Sequence, residues 1–103
     1  MSNDGPVLAI TIIDGFDPEG LGPVFAAMPE AVQPYLDDFS LLNSDGSFDV
    51  VEGAAPQAVV VTRWPSRTLF DEYWSSPAAQ RVKGLLSADG TFTLIVVPDQ
   101  TAR

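Results

Sequence analysis

The segment that most limits what this chain can become runs from Ala58 to Pro77 and reads AVVVTRWPSRTLFDEYWSSP. Ala58 to Trp64 is a short apolar run rich in β-branched residues, and its length suits a strand better than a helix. Pro65 has no amide hydrogen to give to a ladder and holds Trp64 extended, so the strand ends there. Two helix starts follow in succession. Ser66 can accept from the backbone N–H of Thr68 or Leu69 and so cap a helix with Leu69, Phe70, Tyr73 and Trp74 on one side. Ser76-Pro77 then restarts a helix that carries Val82, Leu85 and Leu86.

The flanking sequence supplies the partners for that strand and those helices. Val7 to Ile13 (VLAITII) is a second apolar, β-branched run, ended by Asp14-Gly15. Asp17-Pro18-Glu19 offers an N-cap, a proline at the first helical position and an acid at the positive end of the helix dipole. Phe25, Met28, Val32, Tyr35 and Leu36 recur at helical spacing, so a helix is predicted at about 18–37, weakened by its glycines and prolines and kinked near Pro29. Phe39 to Leu42 and Phe48 to Val51 are predicted as two halves of a strand interrupted by the turn or bulge sequence Asn43-Ser44-Asp45-Gly46. Gly53 to Pro56 form a linker. Ser87 to Gly90 turn the chain into a last strand, Thr91 to Val97, closed by Pro98.

The order is therefore β-α-β-β-α-β, an α+β fold in which both helices lie on one face of an antiparallel four-stranded sheet. A sheet covered on one side only should be polar on the other. Here the first strand sets Val7, Ala9 and Ile13 against Leu8, Ile10 and Ile12, and the last sets Phe92, Leu94 and Val96 against Ile95 and Val97. Both faces are apolar, and the simplest cover for the second is the same face of another copy packed about a two-fold axis. A chain of 103 residues makes one domain, 1–103, and a domain of that size removes only roughly 60–65 % of its unfolded surface from water, so a partner helps it.

Charge and composition exclude whole classes of chemistry. The net charge is −9, from 14 acidic and 5 basic side chains, which repels phosphate backbones and anionic lipid, so neither nucleic acid nor membrane is an expected partner. With no cysteine and no histidine there is no disulfide, thiolate nucleophile or imidazole base, and no zinc site of nitrogen and sulfur. Only carboxylates remain as metal ligands, and they are not spaced as a cluster; no metal and no cofactor is expected. The first residues lack the cationic start and apolar core of a signal peptide, and no apolar run approaches the ~20 residues that span a bilayer, so a cytoplasmic location is expected.

The stretch from Val59 to Gln80 resembles the family catalogued as domain of unknown function 1330, in which a strand, a proline-serine helix start, an aromatic pair and a Ser-Pro-x-x-Gln restart occur in this order. Asp17-Pro18-Glu19 and Val51-Glu52-Gly53 extend the resemblance over most of the chain. Asp38-Phe39 stands where members tend to carry two glycines, and Ala78-Ala79 replaces their acid and aromatic. The resemblance implies a dimeric α+β barrel of ferredoxin-like subunits, from a superfamily that also holds cofactor-free monooxygenases, haem-handling enzymes and enzymes that cleave or isomerise aromatic compounds. It implies a fold more than a reaction.

Each candidate site has two readings. Four of the five cations, Arg63, Arg67, Arg81 and Lys83, fall close together, as an anion-binding mouth or as ion pairs such as Arg67 with Asp71. Trp64, Tyr73 and Trp74 either line an aromatic pocket or pack as core. Asp14 and Asp17, where the first strand gives way to the first helix, are weak candidates for a general base, with turn formation and capping as the plainer roles. Asn43 is similar to an asparagine that the cofactor-free monooxygenases use with tryptophan, or simply begins a turn. The sequence thus leads to a homodimer that takes an aromatic or carboxylated small molecule between sheet and helices through Arg63, Trp64, Tyr73 and Trp74. A cofactor-independent oxygenase or isomerase, and a structural or regulatory dimer without a ligand, are the alternatives.

Overall fold

Val7–Asp14 forms β1, a central strand of the antiparallel sheet in the computed structural model, which describes residues 5–16, 19, 21–43 and 46–99. After it come α1 (Leu21–Val32), a 3₁₀ turn (Gln33–Tyr35), β2 (Ser40–Leu41), β3 (Ala58–Trp64), α2 (Arg67–Trp74), α3 (Pro77–Asp89) and β4 (Thr91–Pro98). The strands lie in the order β2-β3-β1-β4. This is the ferredoxin-like arrangement, with the second helix divided in two as the paired helix starts require.

The register fixes which residues share a face. Ile13 pairs with Ala58 and Phe92, Thr11 with Val60 and Leu94, and Ala9 with Thr62 and Val96, and this row faces the helices. Along it the buried residues form two clusters. Ile13 packs with Phe16, Val24, Ala31, Val82 and Leu86, joining the sheet to α1 and α3. Val7 and Ala9 pack with Trp64 and Phe70, joining the sheet to α2. Burying side chains such as Ile13, Val24 and Leu86 contributes roughly 1.5–3 kcal/mol each. Thr11, between Ala9 and Ile13, belongs to neither cluster.

Predicted boundaries move in the first helix, in the second strand and in α3, which runs through Ser87 to Asp89 where a turn is predicted. The first helix runs over Leu21–Val32 and passes through Pro29. It ends early because Gln33 precedes Pro34, which disfavours helical backbone at Gln33 and tightens the chain into the 3₁₀ turn. The proposed start at Asp17-Pro18 lies outside the described residues. The second strand shrinks to Ser40–Leu41, and Phe48 to Val51 carry no strand. Its continuation is replaced by a side chain: Asn43 Nδ2 donates to the Val59 carbonyl at 2.7 Å while Asn43 Oδ1 accepts from Val61 N–H at 3.0 Å. The amide thus occupies the edge of β3 in place of main chain. The backbone then turns, with Gly46 N–H donating to the Asn43 carbonyl at 2.8 Å and Gly46 at φ 76°. Ser44 and Asp45 of that turn lie outside the described residues.

Gln57 performs the matching task at the other end of the segment. Its Oε1 accepts from Phe16 N–H at 2.6 Å and its Nε2 donates to the Phe16 carbonyl, while its own N–H donates to Ile13 at 2.9 Å. Between these two anchors residues 46–55 are exposed, and Val51 is 97 % accessible.

Candidate functional site

The two clusters meet through Tyr73 and through the Trp74–Phe92 contact, yet they leave space between them. Between the sheet, α1, α2 and α3 lies a cleft of about 440 Å³, within the range of small-molecule sites. Its floor is the helix-facing row of the sheet, including Thr11, Val60 and Leu94, and its walls include Phe25 and Met28 of α1 and Tyr73 and Trp74 of α2.

One end of the cleft is set by aromatic packing around Trp64, itself only 1 % exposed. Phe39 stacks on Trp64 with centroids 5.2 Å apart, Tyr73 stacks on it at 4.7 Å, and Tyr35 and Phe70 meet it edge-on at 5.8 and 5.7 Å. Such pairs contribute about 0.5–1.5 kcal/mol each beyond their burial, which holds the wall rigid. The Trp64 indole N–H donates to Thr62 Oγ1 at 3.0 Å, and that hydroxyl lies 3.4 Å from the Ala9 carbonyl, so both groups are satisfied within the protein. Trp64, Tyr73 and Trp74 are core and cleft lining at once, because the aromatic cluster forms one wall of the opening.

Helix punctuation positions these side chains. Ser66 Oγ accepts from Leu69 N–H at 3.0 Å and starts α2, which directs Phe70, Tyr73 and Trp74 inward. Ser76 Oγ accepts from Ala79 N–H at 3.3 Å and donates to the Tyr73 carbonyl at 2.6 Å, joining the start of α3 to the end of α2.

The sequence-predicted residues divide. Trp64, Tyr73 and Trp74 come together at the cleft, whereas Arg63 stands on the opposite face of the sheet, opposite Ser40 and Leu8. Strand alternation separates it from Trp64. Its Nε lies 2.8 Å from Asp99 Oδ2, with the arginine side chain 44 % exposed and the aspartate 8 %. The small recess at Arg63 also includes Asp38, so the cation already has carboxylate company. Arg67 pairs with Asp71 at 2.8 Å on the exposed side of α2, and Arg81 and Lys83 are exposed on α3. The anion-binding mouth expected of these cations is not assembled.

Asp14 is exposed at the end of β1, where its Oδ1 accepts from Gly15 N–H at 2.9 Å, a turn role away from the cleft. Asp17 lies outside the described residues. Asn43 touches the cleft with its amide committed to β3 and, at 3.3 Å, to the Ser47 carbonyl. Thr11 was not singled out by sequence reasoning, although a hydroxyl residue in the apolar alternation Val7, Ala9, Thr11, Ile13 is the signal that could have found it.

The electrostatics are simple. None of the described residues lining the cleft is charged. Burial pushes the Tyr73 phenol above its ordinary pKa of 10.0, so the hydroxyl stays protonated at neutral pH. Among the described residues no group of three or more acidic side chains gathers to hold a metal ion, and no helix is long and apolar enough to cross a membrane.

The fold is shared with solved structures of low sequence identity. A dimeric ferredoxin-like protein of unknown function from Jannaschia sp. CCS1 is 17 % identical, with 90 % of this chain and 98 % of that one covered at a TM-score of 0.66. A protein of unknown function from Rhodopseudomonas palustris is 17 % identical over 92 % of this chain and 84 % of that one, at 0.64. The cofactor-independent oxygenase SnoaB from Streptomyces nogalater, in a mutant form, is 13 % identical over 98 % and 97 %, at 0.63. None of the curated proteins matches the chain. The model of the family described as domain of unknown function DUF1330 matches residues 7–100, nearly the whole length, and the protein belongs to that family.

Proposed function

We propose that the protein is a homodimer that binds a small aromatic molecule in the cleft between its sheet and its helices. The observation that carries this reading is the opening between the two halves of the core, walled by Trp64, Tyr73 and Trp74. A chain this small gains by closing its core, and a rigid aromatic wall beside an open apolar floor is suited to flat ring systems. The dimer is supported by the apolar sheet face away from the helices and by the dimeric state of proteins of similar fold. The net charge of −9, which repels phosphate backbones and anionic lipid, supports a protein without nucleic-acid or membrane partners.

Binding is preferred to catalysis on chemical grounds. Oxygenase or isomerase chemistry on a ring substrate calls for a group that removes a proton, and among the described residues Tyr73 is the only titratable side chain lining the cleft. A phenol with a raised pKa is a poor base at neutral pH.

The test is a panel of one- to three-ring aromatic compounds followed by tryptophan fluorescence and melting temperature. A ligand at 100 times its Kd adds about 2.7 kcal/mol, and 1 kcal/mol moves the Tm of a domain this size by about 4–8 °C. Saturable quenching with a matching rise in Tm is expected. A panel in which no member shifts either signal up to its solubility overturns the reading.

A further inference from the structure

We infer that the cleft, taken as the ligand site proposed above, selects uncharged molecules: a neutral ring system carrying one hydrogen-bonding group, anchored by Thr11 and Tyr73, with carboxylates rejected. The sequence pattern alone left an aromatic carboxylate as open as a neutral aromatic, because Arg63 adjoins Trp64 in the chain. In the fold the two point to opposite faces, and Arg63 is paired with Asp99. Among the described residues no cation lines the cleft. An ionised carboxylate entering it would exchange water for aliphatic and aromatic surface without a counter-charge, and would approach a protein of net charge −9.

The polar groups of the cleft can be accounted for one by one. Thr62 is occupied by Trp64 and Ala9, and Asn43 by the backbone of Val59, Val61 and Ser47. Gln33 is exposed at the end of α1. Three half-buried groups remain, the Thr11 and Tyr73 hydroxyls and the Trp74 indole N–H, and none has a hydrogen-bond partner among the described residues; only the two hydroxyls can accept as well as donate. Thr11 stands on the floor between Val60 and Leu94, where valine or isoleucine would extend the apolar row and close it further. Neither hydroxyl is fully buried, so each stays open to water or to a ligand that enters the cleft and can exchange one for the other. The cleft therefore offers flat apolar walls with hydroxyls that both donate and accept, which is complementary to a phenol, an alcohol or a ketone and not to an anion.

Three probes with one ring system separate the possibilities at neutral pH: naphthalene, 2-naphthol and 2-naphthoate, each titrated by tryptophan fluorescence. The expected order is 2-naphthol about 2- to 10-fold tighter than naphthalene, and 2-naphthoate weaker than 2-naphthol by at least about 100-fold. The wild-type comparison decides charge selectivity without any variant. Thr11→Val and Tyr73→Phe, which keep side-chain shape, should together abolish the advantage of 2-naphthol while leaving naphthalene affinity unchanged. Naphthoate binding as tightly as naphthol overturns the charge selectivity and leaves the cleft as a ligand site. An advantage of naphthol that survives both substitutions overturns the two anchors. Failure of all three probes to bind removes the ligand site and this inference with it.

Discussion

Asn43 and Gln57 are each bonded to backbone far along the chain, and each does what a strand residue would do. Asn43 bridges the Val59 carbonyl and the Val61 amide, 16 and 18 residues away, and Gln57 brackets both backbone groups of Phe16. A side-chain amide has a donor and an acceptor spaced much as a peptide has, so it can complete an edge where the main chain departs. Replacing Asn43 by Ala removes two bonds to part-buried backbone and is expected to cost about 1–3 kcal/mol, read from the urea midpoint. Asn43→Asp should cost at least as much, since a carboxylate still accepts from Val61 but meets the Val59 carbonyl without a proton. Variants as stable as the parent would remove Asn43 from the sheet edge. The turn at Asn43 was readable in the sequence because Asx residues and glycine punctuate the chain locally. Its partners on β3 were not, because they exist only once β3 lies alongside.

At the scale of elements, local chemistry governs α2 and α3 most strongly. Ser66 and Ser76 each accept from a backbone amide in the first turn of the helix they start, and Pro65 and Pro77 stand beside them. Removing the Ser66 hydroxyl by substitution with Ala is expected to cost ~1 kcal/mol and to lower Tm by about 4–8 °C. By contrast Arg67→Ala, which breaks an exposed pair on the same helix, should cost less than about 0.5 kcal/mol. Equal effects of the two, by thermal melts at one ionic strength, would contradict the cap. These elements were legible because caps and prolines act within three or four residues. The second strand was legible only for its first half. Phe48 to Val51 have strand-like composition, and their fate was decided by whether β3 still had a free edge to offer. Between β1 and β4, Gly90 shows a demand of the same kind: a Cβ there would stand 2.6 Å from the Asp14 carbonyl and 2.4 Å from the Phe16 ring, a crowding set by the fold around it.

For the molecule as a whole, the second face of the sheet creates the demand for a partner. Leu8, Ile10, Ile12, Val59, Val61, Ile95 and Val97 share that face, and Ile95 is 41 % exposed. Two such faces packed about a two-fold axis would bury on the order of 1,600 Å² in total, the size of a stable interface. Sedimentation at micromolar concentration is expected to give a dimer. Ile10→Asp, at the centre of the face between Val61 and Ile95, should give a folded monomer or a much weakened dimer. A monomeric parent protein would leave this face without its proposed cover.

By itself the sequence determined the element order, the helix starts and the two-sided apolar character of the sheet, because each follows from neighbours along the chain or from a period of two. It also placed Trp64, Tyr73 and Trp74 on elements that could meet. Only the tertiary structure decided that Arg63 leaves that group, since alternation says that Arg63 and Trp64 part company but not which of them the helices cover. The same step picked Thr11 out of the apolar row and left Asp14 away from the cleft. A cleft is the space that packed elements fail to fill, and that space depends on how α1, α2 and α3 settle together on the sheet.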